Sequence, residues 1–164
     1  MKQQQGFTLI ELIIVIVILG ILAVTAAPRF IDIQSDARKE TLQGVKAAVQ
    51  GASQLVYAKA AIAGVQKAAA STVTIGTSTV DTKYGYPDAD KNLLYTDVQE
   101  FVDVDLASGA DLSFEDLTAA DGKIRIRFTS IPSVASPVSG CYVEYTSAAS
   151  AGAVPTFTVV DNDC

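Results

Sequence analysis

The chain reads as an α+β fold: one long N-terminal helix, apolar in its first half and amphipathic in its second, packed on a three or four stranded antiparallel sheet. Three observations predict it. From Phe7 to Ala27 the sequence FTLIELIIVIVILGILAVTAA holds a single charge, Glu11. From Phe30 onward apolar residues recur every three to four positions, the period of a helix with one buried face. From Lys123 the period drops to two, as in a strand with one side on a core.

The apolar run is 21 residues long. At about 1.5 Å per residue it reaches about 31 Å, enough to cross the hydrocarbon core of a bilayer. An ionisable side chain inside such a segment is a mark of function, which singles out Glu11. It lies four residues after Phe7, and Gly6-Phe7 follows the short polar stub MKQQQ. A cut between Gly6 and Phe7 would expose an amine of the right sign to pair with Glu11. Gly20 lowers helix propensity, and Pro28 lacks an N–H and crowds the carbonyl of Val24, so Gly20 to Pro28 is where a kink or local melting is expected.

The amphipathic half follows over 30–63, with Phe30, Ile33, Ala37, Leu42, Val45, Ala48, Ala52, Leu55 and Val56 as its apolar positions. A helix from Phe7 to Ile62 would be about 84 Å long, far beyond a usual globular helix, so half of it must find partners outside its own domain. From 64 to 122 the composition turns to Ala, Ser, Thr and Gly and reads as loop-rich. It holds strand material at Val73 to Ile75 and a short helix beginning at Thr96, with Gln99 placed for a capping box. Three strands follow in 123–164: Ile124, Ile126 and Phe128 alternating with Lys123, Arg125 and Arg127, then Cys141 to Thr146, then Pro155 to Val160. No internal repeat is evident.

The formal charge is -6, and there is no histidine among the 164 residues. An acidic surface disfavours binding of nucleic acid or anionic lipid by the globular part. Without histidine there is no Ser-His-Asp or Cys-His nucleophile system, and the commonest zinc ligand is missing. No phosphate-binding GxxxxGK[ST] loop is present. The reading is a protein with no catalytic residues, no metal and no cofactor.

The stub, Gly6, Phe7, Thr8, Leu9, Glu11 and the apolar tail resemble the N-terminus of a type IV pilin precursor. The continuation PRFIDIQSDAR, from Pro28 to Arg38, is most similar to the major pilins of mannose-sensitive haemagglutinin (MSHA) type, of the type IVa class. The strong resemblance covers about the first 38 residues. It implies a pilin fold in three parts: a leader over 1–6, a transmembrane and filament-core helix over 7–29, and a globular domain over 30–164. Prepilin peptidase would remove the leader between Gly6 and Phe7 and methylate the Phe7 amine. Phe7, Thr8 and Glu11 would act in assembly, with Glu11 pairing the methylated amine of Phe7 on an adjacent subunit. The implied partners are further copies in a helical filament, the peptidase, an assembly platform and motor ATPases, and the inner membrane before assembly. The globular part would sit in the periplasm until the subunit joins a surface filament used for attachment and biofilm formation. The surface or cell receptor is not readable from the sequence.

Cys141 and Cys164 are the only cysteines, so one intrachain bridge is the most the chain can form. In the oxidising compartment that the resemblance implies, a disulfide is expected; free thiols or bridges between chains are the other outcomes. Such a bridge would close a C-terminal loop like the surface-displayed loop of type IV pilins. The runner-up is the major pseudopilin of a type II secretion system, which shares the N-terminus but carries a calcium site in place of the disulfide.

Five further readings compete for particular residues. A secretory signal peptide would explain the small residues Ala23 to Ala27 but not Glu11 in its apolar core. A plain membrane anchor needs neither Glu11 nor Gly6-Phe7. The positive-inside count, Lys2 before the run against Arg29, Arg38 and Lys39 after it, points to the opposite orientation. Asp88, Asp90 and Asn92 have the spacing that opens a calcium loop, but Leu93 and Gln99 stand where an EF-hand needs glycine and glutamate, so an acidic turn is expected. Phe7, Phe30 and Tyr57 are too far apart on one helix to stack, and core packing is expected for each.

Overall fold

The computed structural model describes residues 7–89, 104, 106, 109–118, 122–131 and 139–164, with the side chains of 28, 31 and 116–118 left aside. The order is one helix, α1 (Leu9–Ile62), then β1 (Ser71–Ile75), β2 (Ser78–Lys83), β3 (Tyr86–Pro87), β4 (Leu112–Thr118), β5 (Lys123–Phe128), β6 (Tyr142–Thr146) and β7 (Thr156–Val160). Two compact units divide the chain, Met1–Ala37 and Arg38–Cys164, the boundary falling within α1.

In the first unit, α1 is helical at every residue from Leu9 on, including Gly20 and Pro28. Its apolar side chains lie open from Leu9 to Val24. Among the described residues, α1 is the one helix long and apolar enough to cross a membrane.

In the second unit α1 buries Leu42, Val45, Val49, Ala52, Val56 and Ala60, spaced three and four apart, so that one face turns inward. The apolar positions do not all follow that face. Phe30 and Ile33 in the first unit, and Leu55 in the second, are exposed although the sequence pattern grouped them with the buried stripe. The face toward the core is set by contact with the strands, which a hydropathy period cannot see.

Two antiparallel sheets stand where one was expected. The larger has the order β4-β5-β6-β7, and its inner residues Ile124, Ile126, Phe128, Val143 and Tyr145 join Leu42, Val45, Val49 and Ala52 in the main core. β5 spans Lys123–Phe128 as its alternation predicts, while β6 and β7 begin one residue later than expected. The smaller sheet, β1-β2-β3, lies in the segment read as loop-rich, and so does β4. The strand material expected at Val73 to Ile75 lies in β1, whereas β2, β3 and β4 stand where loop was expected; β1 and β2 are rich in Ser and Thr, β2 also holds Asp81 and Lys83, and only Val73, Ile75, Val80 and Thr82 turn inward. Val73, Ile75 and Val80 form a second small cluster with Val56 and Ala60. The helix expected from Thr96 lies outside the described residues.

Tight turns hold the small sheet. β1 and β2 pair from Ile75↔Ser78 outward, leaving Gly76-Thr77 as a two-residue loop with Gly76 at φ 61°. β2 turns into β3 through Tyr84 and Gly85, both at positive φ. A Cβ on Gly85 would stand 2.9 Å from a Tyr57 ring carbon and 3.0 Å from the Gln66 Cα, so only glycine fits there. The two sheets are stapled by polar bonds: the buried Tyr145 hydroxyl donates to the Pro87 carbonyl at 2.5 Å, and Ser147 Oγ accepts from Ala89 N at 2.7 Å while donating to Asp88 at 3.1 Å.

Candidate assembly site at the helix N-terminus

Thr8 immediately precedes the first helical residue, Leu9, and so occupies the N-cap; Glu11 is the third residue of the helix. Glu11 N donates to Thr8 Oγ1 at 3.3 Å, and Thr8 N donates back to Glu11 Oε2 at 2.9 Å. This is a capping box, in which two backbone N–H groups that the helix end leaves without partners are satisfied reciprocally. Thr8 Oγ1 also donates to the same Oε2 at 2.8 Å. The Thr8 carbonyl meanwhile takes the first intrahelical bond, from Leu12 N at 3.3 Å.

The arrangement explains how an apolar segment tolerates a carboxylate. Glu11 sits at the positive end of the helix dipole and takes two hydrogen bonds from one neighbour. Both fall on Oε2; among the described residues Oε1 accepts none, which leaves one carboxylate oxygen for an external donor. Sequence reasoning placed Thr8 and Glu11 together but missed the box, whose signal, threonine followed three residues later by glutamate before an apolar run, is plain in TLIE. Phe7 is 90% exposed and one residue from the cap. Gly6 lies outside the described residues. Further along, Thr25 Oγ1 returns its proton to the Leu22 carbonyl at 2.9 Å, so this hydroxyl is satisfied within the helix.

Residues 1–27 match the prokaryotic N-terminal methylation motif. The chain is also similar to the type IV narrow pilus major component PilA5 of Thermus thermophilus, 46% identical over 56 residues, which cover 34% of this chain and 48% of that relative. The chain thus spans about half the length of the curated relative it matches. No solved structure matches it significantly.

The remaining sequence-read residues fall in the second unit. Cys141 and Cys164 form a disulfide, their Cα atoms 4.9 Å apart, and no described cysteine is free. Cys164 is held a second time, its carbonyl accepting from Arg38 Nη1 at 3.1 Å, and the Arg38 guanidinium lies 6.0 Å from the Phe128 ring centre. Ser139 donates to Asp163 beside it. Asp88 is engaged by Ser147, while Asp90 and Asn92 lie outside the described residues. Of the three aromatics expected to pack, Tyr57 does, stacked on Tyr86 at 4.5 Å; Phe7 and Phe30 are corrected to exposed positions.

On the outer face of the larger sheet, the alternation read in Lys123, Arg125 and Arg127 becomes a charge network. Glu144 receives Lys123 Nζ and Arg125 Nε, each at 3.1 Å, and Arg127 Nε lies 3.5 Å from Glu115. Arg125 is buried with its guanidinium 4.2 Å from the Tyr142 ring centre, a charge kept by pairing and stacking rather than by water.

Proposed function

We propose that the chain is the major structural subunit of a type IV pilus, with a structural and not a catalytic role. The observation that carries this reading is the capped Glu11, a lone carboxylate at the head of an exposed apolar helix, within a matched methylation motif. Prepilin peptidase cuts between Gly6 and Phe7 and methylates Phe7. The apolar helix then waits in the inner membrane with the second unit in the periplasm. Lipid tails are as apolar as Leu or Ile, so transfer from bilayer to helix bundle gains little hydrophobic free energy, and polar pairing must direct it. Glu11, through its open oxygen, takes the Phe7 amine of a neighbouring copy; Thr8 keeps the carboxylate aimed. Gly20 and Pro28, helical in the subunit, are where the helix gives way if packing requires it.

The assembly platform and motor ATPases drive insertion, and the product is a surface filament of MSHA type used in attachment and biofilm formation. The Cys141–Cys164 bridge supports a pilus over a type II secretion pseudopilus. Electron microscopy of sheared cell-surface material, with intact mass of its main band, tests the reading. The expected mass is that of Phe7 through Cys164 with one added methyl and two hydrogens missing at the disulfide. A mass beginning at Met1 in purified filaments overturns it.

A further inference from the structure

The two sheets have four edges, and they are not alike. β3 is two residues long and ends in Pro87. β4 carries Glu115 and Asp116 and is broken by a register shift between Asp116 and Thr118. Shortness, proline, charge and bulges are the devices by which proteins keep sheet edges from pairing with other chains. β1 (STVTI) and β7 (TFTVV) have none of them: five residues each, without charge or proline within the strand.

Among the described residues, β1 pairs only β2 and β7 only β6. In an antiparallel pair, alternate residues of an edge strand turn their N–H and C=O away from the sheet. Among the described residues, Thr72–Ile75 and Thr156–Val160 make no backbone hydrogen bond beyond those ladders. Thr72, Thr74, Thr156 and Thr158 present exposed side chains along the two edges. Each strand is at the same time fixed from behind, β1 by Val73 and Ile75 in the small cluster and β7 by Phe157 and Val159 against the main core.

We propose that β1 of one copy pairs with β7 of the next, so that the sheets of neighbouring subunits join edge to edge. This rests on the filament reading, which supplies the second copy. The occupant follows from the match: a second copy brings an uncharged edge of equal length, which two copies of an acidic chain with a net charge of -6 can bring together without adding to their mutual repulsion. Pairing two different edges is head-to-tail, the kind of contact that builds an open filament when its rotation does not close.

Hydrogen exchange read by mass spectrometry, on sheared wild-type filaments and on the full-length subunit in detergent, tests it. Peptides covering 71–75 and 156–160 should both exchange on the order of tenfold or more slowly in filaments, since amides that face solvent in the subunit become bonded. Thr72→Lys and Thr158→Lys, which put a charge on one edge each, should both lower filament yield, while Thr158→Val should not. Both lysine variants are checked in detergent for an unchanged melting temperature. Filaments in which either edge exchanges as fast as in the subunit overturn the pairing alone; slowing at 156–160 without slowing at 71–75 assigns β7 a different occupant and overturns it too. Cells whose surface filaments do not contain this chain overturn the filament reading, and the edge pairing with it.

Discussion

One helix carries similar side chains to two different fates. Leu9 and Ile21 keep 74% and 65% of their surface open in the first unit, whereas Leu42 and Val56 keep 0% in the second. Apolar content does not distinguish them; what differs is whether the same chain supplies a partner. The second unit brings strands to its stretch of helix and completes a core. Among its described residues the first shows a capped carboxylate and an apolar surface that stays open from Leu9 to Val24. Damage to the first unit should therefore appear in assembly, and damage to the second in folding.

The sharpest test is Glu11→Val. Removing the ion leaves insertion into the membrane intact or improved, and the subunit should still be cleaved and stable, but surface filaments should fall to background by electron microscopy and immunoblot of sheared material. Normal filament yield in cells without wild-type subunit would break the contrast, because the first unit would then assemble without its carboxylate.

Next in size is Cys164→Ser. Losing a native disulfide typically costs about 2 to 5 kcal/mol. The carbonyl contact with Arg38 should loosen as well. Thermal unfolding of the full chain in detergent measures the loss, and an unchanged melting temperature under reducing conditions would count against it.

Tyr145→Phe is smaller. It removes the bond to the Pro87 carbonyl and leaves that acceptor buried, which costs about 1 to 3 kcal/mol. The substitution also has a pH signature. Burial, with Asp88 nearby as the second cause, holds the Tyr145 hydroxyl well above its usual range. The unfolded chain ionises it near pH 10 while the folded chain does not, so the contribution of Tyr145 to stability is full below about pH 10 and declines above it. The variant should lose that part of the alkaline decline contributed by Tyr145.

The smallest effect is expected for Thr8. Thr8→Val removes the hydroxyl of the capping box and should reduce filament yield partly, and Thr8→Ser, which keeps it, should leave yield near wild type. Loss of yield in Thr8→Ser with near-normal yield in Thr8→Val would mean that Thr8 acts through its methyl group and not through the cap.

Much of this was legible in the residues. The charge-poor run and the period-two alternation of Lys123–Phe128 mark elements whose environment is uniform along their length, so local pattern and final structure agree. Val73 to Ile75, read as strand material, lies in β1, but β2 and β4 were not legible, for two reasons. Thr and Ser serve strands and loops alike, and the hairpin turns at Gly76-Thr77 and Tyr84-Gly85 lack the Asn-Gly and Asp-Gly pairs that announce them. Nor does sequence show which apolar residues of an amphipathic helix meet the sheet: Leu55 and Val56 are neighbours, and only Val56 is buried. The capping box at Thr8 and Glu11 was legible in TLIE, a threonine followed three residues later by a glutamate.

The bridge at Cys164 also governs what the subunit does under tension. A polypeptide pulled from its two ends lengthens by at most about 3.3 to 3.6 Å for each residue released. With Cys141 tied to Cys164 across a separation of 23, the tensile path jumps straight from one cysteine to the other and the residues between them never enter it. Roughly 80 Å of contour is thereby withheld from extension. β6 and β7 both lie wholly inside that shielded loop, so two of the four strands of the larger sheet are spared direct traction so long as the sulfur–sulfur bond is intact.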